Sequence, residues 1–173
     1  DAAAERHVGH AVVTPVIESP RLNAMSGGRI LIKAECLQRT GSFKFRGAWN
    51  MISQLSPDTS PGGVVAYSSG NHAQGVAAAS QIKGLAALIV MPADTPQIKQ
   101  ENTRSYGAEV VTYDRATESR EETVAESASQ IFAEYLTPAP RGTDLETVTK
   151  QVLKDYPKLD QQRVSTYVNL WKE

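Results

Sequence analysis

The 173-residue chain is long enough for one domain with a substantial core and short for two. Hydrophobic residues make up 40% and charged residues 21%, as in a soluble globular protein, and a net charge of −1 gives no electrostatic argument for nucleic acid or an anionic membrane as a partner. The single cysteine, Cys36, excludes an intrachain disulfide, no apolar run approaches the roughly 20 residues that span a bilayer, and DAAAERHVGH lacks the layout of a secretory signal, so a cytoplasmic protein is expected.

After this leader, Thr14-Pro15 marks a turn or an extended entry, and Ser19-Pro20 reads as a helix N-cap followed by proline at the first helical position. Gly27-Gly28 ends that helix. Residues 29–35 (RILIKAE) alternate apolar and polar side chains and predict a strand. Thr40-Gly41-Ser42 breaks the chain, and Ser42 is placed to cap a helix from Phe43 to about Leu55. The loop SPDTSPGG precedes a short buried strand over Val64 to Tyr67. A small-residue helix over Ala73 to Ile82 stops near Gly84, and a strand over Leu85 to Met91 closes at Pro92. Thr95-Pro96 repeats the cap-plus-proline pattern before a polar helix reaching Tyr106 and Gly107. A strand over Glu109 to Tyr113 and a helix over Glu118 to Tyr135 complete the series.

Strands alternating with helices at this spacing predict an α/β domain: a parallel sheet of about four strands flanked by helices and joined by right-handed crossovers. The pattern changes after Tyr135, where TPAPRG resembles a linker and amphipathic segments follow. Residues 1–135 are therefore read as the α/β domain with its leader, and residues 136–173 as a linker and a helical C-terminal tail.

Two stretches carry residues suited to chemistry. In TGSFKFRGA, Lys44 falls in the first turn of a predicted helix, where unpaired backbone N–H groups surround its amine with partial positive charge. Such surroundings, with partial burial, favour the neutral amine that forms an imine, and Phe43 and Phe45 can wall a flat ring. The plain alternative is an exposed helix-start lysine beside two core phenylalanines. In SSGNHAQG, Ser68, Ser69, Gly70, Asn71 and His72 lie at a strand-to-helix junction, where open α/β sheets bind ligands and where backbone N–H groups and hydroxyls can hold a carboxylate. The plain alternative there is a polar turn in which Ser69 and Asn71 cap the helix. His7, His10 and His72 are not spaced with Glu or Cys as a metal site, and no P-loop or dinucleotide fingerprint is present.

Taken in order, TPVIESPRLN, LIKAECLQRTGSFKFRGA, SSGNHAQGVA, VMPADTP, IKQENTRSYGAEVV and SREETVAE resemble the fold-type-II pyridoxal-phosphate (PLP) enzymes, in the branch of the serine/threonine dehydratases and serine racemases. The resemblance runs from about Val12 to Tyr135 and is to the small domain of those enzymes. It implies a PLP cofactor, Lys44 as the lysine that bonds its aldehyde, Asn71 on the ring's phenolic oxygen and Phe43 against the ring. It also implies that Ser68, Ser69, Gly70, Asn71 and His72 bind the substrate, with Ser69 the acid/base opposite Lys44 in racemising members. The reaction implied is that of an amino-acid ammonia-lyase (serine, threonine or hydroxyaspartate dehydratase type) or a racemase, acting on a small amino acid.

That branch carries a second, larger domain with a glycine-rich phosphate loop, a residue facing the pyridine nitrogen and a divalent-cation site, none of which is found after Tyr135. The chain is accordingly expected to be partial, with weak cofactor binding and little turnover alone, and to form a homo-oligomer or await a large-domain partner. Two other readings stay open: a non-catalytic rearranged domain that serves as an oligomerisation or binding module, and a small-anion-binding module built on the SSGN turn.

Overall fold

The computed structural model describes residues 1–135 other than 59 and 61, and for residues 125 and 129–135 it describes the backbone alone. In chain order the elements are α1 (Ala2–His7), β1 (Val16–Glu18), α2 (Pro20–Ser26), β2 (Leu31–Lys33), two short 3-10 turns (Glu35–Leu37 and Arg39–Gly41), α3 (Lys44–Ile52), β3 (Val64–Tyr67), α4 (Asn71–Lys83), β4 (Ala87–Pro92), α5 (Gln97–Ser105), β5 (Glu109–Tyr113) and α6 (Arg120–Tyr135). The boundary expected at residue 135 and the tail over 136–173 lie outside the described residues.

The α/β architecture with a parallel sheet is present. Among the described residues the sheet has three strands in the order β3-β4-β5, with Val65 opposite Leu88 and Val90 opposite Val111. The fourth strand expected, over 29–35, is shorter and pairs antiparallel with β1 instead, Ile17 opposite Ile32. Its alternation of apolar and polar residues does not reflect one buried face, because every residue of β1 and β2 is exposed. By contrast β4 is buried along its whole length, as its uninterrupted apolar run requires of a strand covered on both faces.

The core joins α3, α4 and the sheet through Phe45, Trp49, Ile52, Val76, Ile89 and Met91. The opening segment, read as a leader, is part of this body. The imidazole of His7 bridges the carbonyl oxygens of Ala3 and Arg46, Trp49 Nε1 donates to the Arg6 carbonyl at 2.6 Å, and His10 stacks on Trp49 with centroids 4.1 Å apart.

Two expected caps are absent. Thr40 (φ 61) and Gly41 (φ 69) are both left-handed, and Ser42 after them is extended, with its hydroxyl buried and unpartnered among the described residues. Phe43 therefore takes the N-cap position, and α3 begins at Lys44 with no side-chain cap. Likewise α5 starts after Pro96, and the Thr95 hydroxyl is buried without a partner among the described residues. Ser19 does cap α2, accepting from the Leu22 N–H at 3.4 Å, and Gly27 closes it at φ 69.

Candidate active site

The N-termini of α3 and α4 are brought together by one small residue. Gly75, in the second turn of α4, faces the start of α3: a Cβ built there would meet the Lys44 carbonyl carbon at 3.1 Å and the Phe45 nitrogen at 3.2 Å. A side chain at this position would crowd the start of α3, and glycine keeps the approach open. The sequence stretches TGSFK and SSGNHAQG, which hold all the predicted site residues, thereby meet in space.

Lys44 is the first residue of α3 and is exposed rather than partly buried. Its ammonium lies 5.0 Å from the centroid of the Phe43 ring, which is 58% exposed, and no carboxylate pairs with it among the described residues. Phe45, the other ring proposed as a wall, is fully buried in the core and stacks on Trp49 with centroids 6.2 Å apart. Its alternation with Phe43 across Lys44 places the two rings on opposite sides of the helix start, one inside and one out.

The turn from Ser68 to Asn71 leaves the carboxyl end of β3. Gly70 holds the N-cap position of α4, and no side chain caps the helix; the Ser68 hydroxyl instead accepts from the Gly70 N–H at 3.3 Å. Ser69 and Asn71 are exposed, and no hydrogen bond engages either side chain among the described residues. The capping role that would have given these residues a purely structural purpose is therefore not the one they play. His72, the second residue of α4, sits close enough to Lys44 to feel its charge. Partial burial first, and then that charge, push its imidazole below its ordinary value.

Two further cations lie near the turn. Lys99, half-buried on α5, brings its ammonium to 3.9 Å from where a Gly70 Cβ would stand. The Arg120 guanidinium lies 4.3 Å from the centroid of Tyr67, the residue before Ser68, and pairs with Glu121. Both lie in motifs noted for their resemblance, IKQENTR and SREETVAE, but neither motif marks its cation by local physics.

Below Lys44, Arg46 is held by Glu35 from the first 3-10 turn: Arg46 Nε and Nη2 donate to the two carboxylate oxygens, each at 2.8 Å. The Thr14 hydroxyl donates to the same carboxylate at 2.5 Å, so the entry segment, the turn and the first turn of α3 are fastened at one point.

A family model described as pyridoxal-phosphate dependent enzyme matches residues 9–148. The L-threo-3-hydroxyaspartate ammonia-lyase of a Pseudomonas species is 55% identical over 120 residues, covering 69% of this chain and 38% of that protein. The enzyme of the same name from Saccharomyces cerevisiae is 41% identical over 154 residues, covering 85% of this chain and 46% of that one. Among solved structures, maize serine racemase aligns with a TM-score of 0.68 at 34% identity, over 91% of this chain and 49% of its own. The chain thus spans less than half the length of these two ammonia-lyases and about half of the racemase. With the match extending across the helix start at Lys44, the 68–72 turn and the whole parallel sheet, the chain belongs to the pyridoxal-phosphate dependent enzyme family.

Proposed function

We propose that the chain supplies the lysine-bearing part of a PLP-dependent ammonia-lyase or racemase acting on small hydroxy amino acids, hydroxyaspartate, serine or threonine. The observation that carries this reading is the junction of α3 and α4, where an unpaired lysine amine, an exposed aromatic ring and an uncapped polar turn converge. These residues fit the aldehyde and ring of PLP: an amine with no acid partner among the described residues, an exposed aromatic ring in Phe43 and an exposed amide in Asn71. No glycine-rich phosphate loop occurs among these 173 residues. We therefore propose that they hold PLP weakly by themselves.

When bound, PLP delocalises the negative charge that develops at the α carbon of an amino acid. Lys44 would bond the cofactor's aldehyde, and its amine is the group that would take or return the α proton on its face of the substrate. Ser69 serves the opposite face in the racemase reading. Backbone N–H groups of the 68–71 turn, with the Ser68 hydroxyl, receive the substrate carboxylate, and His72 borders it at the start of α4. Asn71 would donate to the phenolic oxygen of the ring, and Phe43 would lie against it.

The reading is tested by incubating the protein with PLP, reducing with borohydride and mapping the pyridoxyl group by peptide mass spectrometry. The group is expected on Lys44 and is lost in Lys44→Ala. Labelling spread equally over exposed lysines, or unchanged in Lys44→Ala, overturns it.

The domain boundary belongs to the same proposal: residues 1–135 as the small domain, residues 136–173 as linker and helical tail. So does the compartment, the cytoplasm, supported by the lone cysteine. A second reading, that this domain functions by association, is supported by the exposed ribbon of β1 and β2, where Val16, Ile17, Leu31 and Ile32 all face solvent. A second copy or a large-domain partner would cover it, and hydrogen exchange of the ribbon at rising protein concentration distinguishes the two.

A further inference from the structure

Resting on the active-site reading above, we infer that Lys99 is a positioning residue for the anion held at the 68–71 turn, supplying the positive charge that the turn itself lacks. The turn offers neutral donors only: backbone N–H groups and the hydroxyls of Ser68 and Ser69. A carboxylate leaving water for neutral donors gives up more hydration than they return, and a nearby ammonium offsets this cost. Lys44 cannot fill that role, because in this reading its amine is committed to the cofactor.

Lys99 stands where such a charge is useful. It comes from a different element, α5, and its ammonium is 3.9 Å from the point a Gly70 Cβ would occupy. Gly70 leaves the gap between the turn's backbone and that ammonium open. Lys99 forms no ion pair among the described residues. The Glu101 carboxylate accepts from Gln97 at 2.6 Å. Lys99 and Glu101, two positions apart on the helix, project to different sides, so Glu101 does not neutralise the ammonium that faces Gly70. The class of ligand is a carboxylate small enough to enter the Gly70 gap, as the α-carboxylate of an amino acid is.

The test separates this inference from the parent reading because its first readout needs no cofactor. Succinate is titrated into the 15N-labelled protein while the amide signals of Ser69, Gly70, Asn71 and His72 are followed. Saturable shifts at these amides are expected. The dissociation constant should rise about tenfold in Lys99→Gln and return to within about threefold in Lys99→Arg, and added salt should weaken binding in the unmodified protein more than in Lys99→Gln. In the PLP-treated protein, borohydride labelling of Lys44 should be unchanged in Lys99→Gln. Shifts confined to other amides, or an unchanged dissociation constant in Lys99→Gln, overturn the role of Lys99 even if Lys44 labels as expected. Failure of Lys44 to label in the unmodified protein overturns the parent reading instead.

Discussion

Glu35 is the residue whose charge matters most to the fold around the site. Its carboxyl is held at about 2, down from an ordinary 4.5, chiefly by the Arg46 guanidinium and further by the Thr14 hydroxyl and the Lys33 charge. A carboxyl whose folded value is depressed releases protons on folding, so its contribution to stability is fully present above about pH 4.5 and disappears as pH falls through about 2. Glu35→Gln should cost about 2 kcal/mol at neutral pH, the range for a charged hydrogen-bonded pair. The difference from the unmodified protein should shrink steadily between pH 4.5 and 2. Urea midpoints measured across that range check this, and a constant difference would show that the carboxylate charge is irrelevant. Nearby, Thr40 stores strain: a β-branched residue at φ 61 costs of order 1 kcal/mol, four residues before Lys44 and in the same loop as the buried, unpartnered Ser42 hydroxyl.

At the scale of the elements, the meeting of α3 and α4 rests on Gly75. Two effects compete when a side chain is added there. Gly→Ala in a helix gains about 1 kcal/mol of propensity, while forcing atoms into a packed contact costs about 1–3 kcal/mol. The nearest atoms are backbone at 3.1–3.2 Å, which yield less readily than a flexible side chain. Gly75→Ala should therefore fall within about 1 kcal/mol of neutral, and Gly75→Val should destabilise by about 2 kcal/mol or more and slow the labelling of Lys44 by PLP and borohydride. Full stability in Gly75→Val would mean the helices are free to part. This contact was not legible in the sequence, because it joins residues 31 positions apart. Periodicity and punctuation did reveal β3 and β5 at their observed bounds, and α4 to within two residues of its start. They failed where chain direction depended on left-handed backbone: a serine next to Thr40-Gly41 looks like a cap, and the turn carries its hydroxyl inside. They failed again at Phe45, since aromatic residues on either side of a lysine look alike until packing decides which is core. Lys99 was invisible for a similar reason, as nothing in a polar helix indicates which lysine meets a glycine turn on another element.

At the scale of the whole molecule, stability is unevenly spread. The parallel sheet is anchored by β4, where Ile89, Val90 and Met91 are fully buried between neighbours on both edges. The ribbon of β1 and β2 is a three-residue antiparallel pair with every residue exposed, strengthened on one side by the Arg29–Glu18 ion pair at 2.8 Å. Two strands without a covering layer are marginal in water, and an exposed ion pair contributes little to them. Amides of residues 16–18 and 31–33 should therefore exchange with solvent orders of magnitude sooner than those of residues 89–91, which open only with the global fold. Hydrogen-exchange mass spectrometry at low concentration reads this directly, and equal protection of ribbon and sheet would show that the ribbon is already covered. Raising the concentration then decides what covers it. Protection that grows with concentration identifies a second copy, since binding to the folded form alone shifts the opening equilibrium by mass action. Protection that stays low at every concentration excludes a second copy as the cover and leaves the ribbon the first part of the fold to open.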